Sequence, residues 1–163
     1  MITEKMQAAL NAQMNAEMYS SYLYLSMAAY FESVNLLGFA AWMHVQAKEE
    51  WGHAMKFYKF INDRRGRVIL RQIEAPPTQW DAALDVFEDV AKHEAKVTGL
   101  ICKLADQAAE EKDHATAVFV QWFITEQVEE EANVDQIVQT LKAVKGSVGG
   151  LYQLDHRLGK RGQ

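Results

Sequence analysis

Apolar residues recur along the chain at alternating spacings of three and four, the pattern of helices that bury one face. The pattern predicts four long helices and a short fifth one, at about 3–31, 36–65, 80–111, 114–144 and 150–158. Four helices of this length favour an elongated four-helix bundle. We therefore expect an all-α fold in one domain over residues 1–163, with the bundle at about 3–144 and a terminal helix after it.

Residues at the predicted helix ends agree with these boundaries. Thr3 and Asp113 are suited to cap the first and fourth helices, because their side-chain oxygens can accept hydrogen bonds from free backbone amides. Gly66 and Gly146 are predicted to end the second and fourth helices.

The connections between the helices predict the topology. Residues 32–35 and the turn around Lys112 are short, so the helices that they join are antiparallel neighbours. The segment 66–79 contains both prolines of the chain and is long enough to run the length of the bundle. We expect a helical hairpin, a long crossover between helices two and three, and a second hairpin.

Composition and charge exclude several classes of protein. Hydrophobic residues make up 49% of the chain, which is too many for a disordered protein. The net charge of −5 gives no electrostatic reason to expect a nucleic acid or an anionic membrane as a partner. Cys102 is the only cysteine, so an intrachain disulfide is impossible. The chain has no apolar stretch of the roughly 20 residues that a membrane span needs, and we expect a cytoplasmic protein.

Polar side chains interrupt the middle of every predicted apolar stripe. Glu17 and Glu50 are 33 residues apart, as are Glu94 and Gln127, and an offset of 77 relates the two hairpins. Two hairpins packed with approximate two-fold symmetry would bring all of these side chains to one level of the bundle. They are Glu17, Glu50, His53, Glu94, Gln127 and Glu130.

Four carboxylates in a core are unfavourable unless they take up protons or bind cations. Two divalent cations would balance four negative charges, and an oxygen-rich ligand set with one imidazole suits iron or manganese better than structural zinc. Glu50 and His53 form a Glu-x-x-His pair of the kind found in di-iron carboxylate bundles, whereas the second copy reads Gln127 to Glu130. A single core Glu or His is usually structural, but six at a repeated offset favour a metal centre.

Other residues carry two interpretations each. Glu49, Glu126 and Glu129 each precede an interior polar residue and form either a solvated acidic face or a second acidic group with Glu130. Tyr24, two turns beyond Glu17, is either a core tyrosine or a group that hydrogen-bonds a ligand or donates an electron. Trp122 is predicted to pack in the core, and the basic tail 156–161 is predicted to be a solvated end. Gly52 either relieves crowding beside Trp51 or is an incidental substitution.

Five stretches of the chain resemble a known family. They are NAEMYSSYLY at 15–24, QAKEEWGHA at 46–54, KHE at 92–94, QWF with EQVEEE at 121–131, and GLYQLD at 150–155. Through them the chain resembles bacterial non-haem ferritins over essentially its whole length. The resemblance implies a ferritin-like bundle that acts as a ferroxidase, oxidises Fe(II) with O₂ or H₂O₂ and stores ferric mineral. It also implies a homo-oligomeric 24-subunit shell, with the fifth helix at its four-fold axis.

The resemblance also implies roles for the site residues. Glu17, Glu50 and His53 would hold the first iron, and Glu94 with Glu130 the second, with Glu50 bridging the pair. Gln127 would lie beside the two irons. A third iron site is implied at Glu49, Glu126, Glu129 and Glu130. No haem is expected, because Trp51 stands where a bacterioferritin would place its haem-ligating Met.

Two other functions are compatible with these residues. The first is a di-iron oxidase or peroxidase that does not store iron. The second is a metal-free helical assembly protein, in which the polar core residues are structural.

Overall fold

The computed structural model describes residues 2–161, and most of them lie in five helices. The helices are α1 (Glu4–Ser33), α2 (Leu37–Asp63), α3 (Ala83–Glu110), α4 (His114–Ala143) and α5 (Val148–Leu158). In the bundle α1 packs along α2, α3 packs along α4, and α5 lies against α2. The predicted all-α class, the two hairpins and the short fifth helix are therefore confirmed.

Both predicted N-caps are confirmed. The Thr3 hydroxyl accepts a hydrogen bond from the Met6 amide at 3.0 Å, and the Asp113 carboxylate accepts one from the Thr116 amide at 3.1 Å. Arg64 adds two hydrogen bonds to the same carboxylate, at 3.0 and 3.1 Å, and so ties the end of α2 to the start of α4.

The predicted stop of α2 is wrong by one residue. Arg65, with φ of 59°, takes the left-handed conformation after α2, and the Gly66 amide then donates to the Ile61 carbonyl. Gly66 lies in a closely packed turn, because a Cβ there would lie 2.9 Å from Gln7 Oε1 and 3.1 Å from the Ile61 carbonyl oxygen. Gly146 has φ of 81° and follows α4 as predicted.

Two predicted helix starts are also corrected. α3 begins at Ala83, later than expected, and the Trp80 indole, which precedes it, donates to Asp89 Oδ2 at 3.0 Å. α5 begins at Val148, earlier than expected, because Ser147 accepts from the Gly150 amide at 3.1 Å and caps it. The segment between α2 and α3 therefore spans 64–82 and contains no helix or strand.

Side chains of α1 hold the crossover against the bundle. Asn11 donates to the Arg67 carbonyl at 3.0 Å and accepts from the Ile69 amide at 2.7 Å. Further along, Ser26 donates to the Pro77 carbonyl at 2.6 Å. The long connection is thus fixed at several points along α1.

The fifth helix caps the second. No side chain of α2's own N-terminus caps it, but Asp155 Oδ1 accepts from the Phe39 amide at 2.9 Å. The neighbouring Gly38 allows this close approach, because a Cβ there would lie 1.7 Å from the Asp155 carbonyl oxygen.

The apolar core is divided into two clusters. One lies at the α5 end of the bundle and includes Phe31, Phe39 and Phe87. The other lies at the opposite end and includes Leu10 and Phe57. The predicted polar residues occupy the layer between them. The same faces of α1 and α2 also carry Ser21 and Phe60, which are only half-buried.

Within residues 2–161, none of the helices has the length and apolar character that crossing a membrane would require.

Candidate metal centre

Glu17, Glu50 and His53 form a compact group of possible metal ligands. One ligand atom from each lies within 4.8 Å of the others, and the side chains are buried, with exposures of 1%, 3% and 5%. His53 Nδ1 lies 3.4 Å from Glu50 Oε2 and 4.0 Å from Glu17 Oε2. Their positions follow from the helices, because Glu50 and His53 are one turn apart on α2 and face Glu17 on α1.

Two buried glutamines orient these carboxyl groups. Gln13 Nε2 donates to Glu17 Oε1 at 2.7 Å. Gln46 Nε2 donates to Glu50 Oε1 at 3.1 Å and to Glu130 Oε2 at 3.0 Å, and thereby links α2 to α4. The sequence prediction gave neither glutamine a role, although each lies four residues before a core glutamate and therefore on the same helix face.

Glu94 is held from two sides. The Tyr24 hydroxyl donates to Glu94 Oε1, and Gln127 Nε2 donates to Glu94 Oε2 at 3.0 Å. Gln127 is also within 3.2 Å of Thr98 Oγ1, whose hydroxyl donates to Glu131 at 2.5 Å. Thr98 and Glu131 were not predicted as site residues. They extend the network of hydrogen bonds from the core to the surface.

The carboxyl groups of the layer hold protons more tightly than usual. Burial, together with the charge of Glu50, raises the pKa of Glu17 to about 8. Burial, together with the charges of Glu94 and Glu130, raises the pKa of Glu50 to about 8. Burial and Glu94 raise the pKa of Glu130 to about 7, and burial raises the pKa of Glu94. Divalent cations can replace these protons, so binding of cations would release them.

The six predicted core residues are all buried at one level of the bundle. Within residues 2–161, one group of at least three possible metal ligands has its ligand atoms within 4.8 Å of one another, and it consists of Glu17, Glu50 and His53. Glu94 and Glu130 do not complete a second such group. They approach the first one through shared hydrogen bonds and through their charges on Glu50.

The outer carboxylates are not brought together in this way. Glu49 and Glu129 are exposed, and Glu126 is half-buried. Glu49 is instead paired with Arg161, whose Nη2 lies 2.6 Å from Glu49 Oε2. Arg161 had been assigned to a solvated end, so that assignment is wrong for this residue.

Two further expectations concern packing. Trp122 lies edge-on to the His53 ring at 5.4 Å between centroids, with Lys56 over its face at 3.6 Å, so it packs beside the site as predicted. Apart from its two chain neighbours and the backbone of α2, a Cβ at Gly52 would meet no atom of residues 2–161 within 4 Å. No distant part of the fold therefore requires a glycine here.

Comparisons with known proteins agree with this fold and site. A family model for the ferritin-like domain matches residues 7–144. Bacterial non-heme ferritins of Bacteroides fragilis and Staphylococcus aureus are 46% and 37% identical over 161 residues, which is 99% of this chain and 100% and 97% of theirs. An open pore ferritin from the hyperthermophilic archaeon Archaeoglobus fulgidus superimposes with a TM-score of 0.98 and 50% identity, over 99% of both chains.

The helical bundle and its buried carboxylate–histidine group thus define a ferritin-like protein, and the chain belongs to the ferritin family. Its likeness to bacterial non-heme ferritins extends over its full length. The chain is accordingly an iron-storage protein with ferroxidase activity, for which Fe(II) is the substrate and an oligomeric shell is the assembled form. The buried group of Glu17, Glu50 and His53 is consistent with its iron site.

Proposed function

We propose that the polar layer is a dinuclear ferroxidase centre that oxidises Fe(II) with O₂ or H₂O₂. Glu17, Glu50 and His53 hold the first iron. Glu94 and Glu130 hold the second, and Glu50 bridges the two. The ferric product leaves the centre and is deposited as mineral inside the shell.

The observation that carries this proposal is the convergence of Glu17, Glu50 and His53 within 4.8 Å in a buried layer. Anionic oxygen ligands stabilise Fe(III) more than Fe(II), so they favour oxidation of the bound ion. The hydrogen bonds from Gln46 to Glu50 and Glu130 support a pair of neighbouring positions, because they bring the carboxyl groups of α2 and α4 together.

Gln127 and Tyr24 complete the centre in this proposal. Both donate to Glu94, so they orient the carboxylate that binds the second iron. Burial and the charge of Glu94 raise the pKa of Tyr24 well above its usual value, which keeps its hydroxyl protonated as a donor. The Gln127 amide is also available to an oxygen species or water beside the two irons.

A third iron site is formed by Glu49, Glu126, Glu129 and Glu130. Its support is the position of Glu130, which belongs to the buried layer and whose pKa is raised by burial and Glu94 and also by Glu49. Glu49 therefore lies close enough to Glu130 for the two charges to interact.

The subunit is one domain, and the shell contains 24 copies of it. The support for one domain is that the family model spans 7–144 and α5 is hydrogen-bonded to α2. Stepwise aerobic loading with Fe(II), read on the peak from a sizing column, tests storage. Iron far above three ions per chain in a large particle is the expected result, whereas saturation at two or three ions would indicate an oxidase without storage.

The centre is tested by the double substitution Glu50→Ala with His53→Ala, which should abolish fast oxidation of Fe(II). The matched control is Glu32→Ala with His44→Ala, which removes an exposed glutamate–histidine pair 2.8 Å apart and should leave oxidation unchanged. Fast oxidation in the Glu50 and His53 variant would contradict the assignment. Helix content measured by circular dichroism verifies that both variants are folded.

A further inference from the structure

Arg161 is paired with Glu49, one of the outer carboxylates Glu49, Glu126 and Glu129. Its Nη2 donates to Glu49 Oε2 at 2.6 Å, and the two side chains are 24% and 44% exposed. Its positive charge also acts on Glu130. One cationic side chain thus interacts with two of the four carboxylates that we assign to the third iron site, by a hydrogen bond to Glu49 and through its charge on Glu130.

The rest of the guanidinium is held by packing. Its central carbon lies 4.4 Å from the centroid of the Trp42 ring, and Trp42 is buried. Nη1 is buried, and within residues 2–161 it has no hydrogen-bond partner. The guanidinium therefore loses solvent at Nη1 without a compensating acceptor, which weakens its hold on this position.

We propose that Arg161 is an internal cation of the outer carboxylates, which a divalent metal must displace from Glu49 before it binds at the third site. The inference rests on the proposed third site. A metal ion needs the oxygen lone pairs of Glu49, and Arg161 occupies one of these oxygens. The positive charge of Arg161 also repels an incoming cation, so both effects act in the same direction.

The competition sets the order in which metals bind. The central group lies in the buried layer and is not hydrogen-bonded to Arg161, whereas the third site gains a metal only as the arginine leaves. The third site therefore fills last and frees the Arg161 side chain from Glu49 as it fills. The ion pair is partly exposed, so the competition changes the affinity of the third site by about threefold to tenfold.

The test is calorimetric titration of the assembled, metal-free protein with Zn²⁺, which is not oxidised or reduced. In Arg161→Gln, the third equivalent should bind about threefold to tenfold more tightly and should gain more than the first two, because Arg161 bonds Glu49 directly and reaches Glu130 only through its charge. The matched control is Arg157→Gln, an exposed arginine of the same tail, which should leave all three equivalents unchanged. A third equivalent that binds Arg161→Gln with unaltered or weaker affinity overturns the inference.

A spectroscopic readout separates displacement from a general effect on folding. The difference in emission between the wild type and Trp42→Phe isolates the Trp42 signal, which should change with the third equivalent of Zn²⁺ as the guanidinium leaves the ring. The change should be absent in Arg161→Gln and present in Arg161→Lys, which keeps the charge. A Trp42 signal that is insensitive to the third equivalent in the wild type contradicts displacement.

Glu49→Gln distinguishes failure of the inference from failure of the third site. Loss of the third equivalent in Glu49→Gln, with no effect of Arg161→Gln, would retain the site and reject the role of Arg161. A third equivalent that persists in Glu49→Gln, or is missing from the wild type, would reject both the third site and the displacement.

Discussion

Buried carboxyl groups give the metal-free protein an unusual dependence of stability on pH. The pKa values of Glu17 and Glu50 are raised to about 8 and that of Glu130 to about 7, whereas an unperturbed glutamate has a pKa of 4.5. Between pH 4.5 and pH 7 to 8, these carboxyl groups are protonated in the folded chain and ionised in the unfolded chain. The resulting stability is fully present below pH 4.5 and is lost as the pH rises through 7 to 8.

We therefore expect the unfolding free energy of the metal-free protein to fall by about 1 kcal/mol or more per pH unit between pH 6 and 8. Thermal unfolding after removal of metal measures this slope. Glu17→Gln should flatten it, because the amide has no proton to lose. A stability that rises with pH over this interval would contradict the assignment of protons to the layer.

A substitution at Gly52 should change the stability of the protein but not its activity. Gly52 is exposed within α2, and an added Cβ meets no distant part of the described fold within 4 Å, so Gly52→Ala should stabilise the protein by about 1 kcal/mol without a change in Fe(II) oxidation. Gly99→Ala in α3 is the matched control, because that glycine is exposed and uncrowded too. If Gly52→Ala alone lowers oxidation, the glycine has a role in the centre.

Residues of the site could be predicted where helix periodicity places them on the buried face of a helix. They could not be predicted where their position depends on contacts between distant parts of the chain. Glu17, Glu50 and His53 stand out because a charged residue on an apolar stripe has few compatible explanations. Arg161 was not predictable, since no local pattern links it to Glu49, more than a hundred residues earlier. Gln46 lay on the predicted stripe, but its contact with Glu130 depends on how α2 and α4 approach each other.

At the scale of the elements, α5 stabilises α2 through its capping carboxylate. Asp155→Ala removes the acceptor for the Phe39 amide, so we expect a loss of about 1 kcal/mol and faster hydrogen exchange in the first turn of α2. Asp135→Ala removes an exposed carboxylate of α4 that accepts from Gln139 one turn later, and it should stay within about 0.5 kcal/mol of the wild type. Unchanged exchange at the start of α2 would mean that this cap is dispensable.

Helix boundaries show what sequence patterns leave undecided. The capping residues Thr3 and Asp113 were recognisable, because the side-chain chemistry of a cap is local. The end of α2 was misplaced because a glycine next to a helix end favours a left-handed conformation, yet here Arg65 adopts it and Gly66 follows in a closely packed turn. The cap of α2 comes from a distant helix, so no segment of α2 could have indicated it.

At the scale of the whole molecule, metal binding should stabilise the polar layer between the two apolar clusters. Two apolar clusters are separated by the polar layer, where hydrogen bonds link the helices and metal ligation would add further bonds between them. Binding of Zn²⁺ should therefore slow hydrogen exchange most in the central turns of α1 to α4, around Glu17, Glu50, Glu94 and Glu130. Equal protection along the full length of the helices would contradict a localised effect.

The divided core also has a mechanical consequence. Aromatic and aliphatic side chains pack tightly at both ends of the bundle and hold the four helices together there. The middle of the bundle is held by hydrogen bonds, which can exchange partners without opening a void in the packed regions. For the proposed centre, ions would therefore enter and leave through small local displacements in the middle of the bundle, while the packed ends keep the four helices in register.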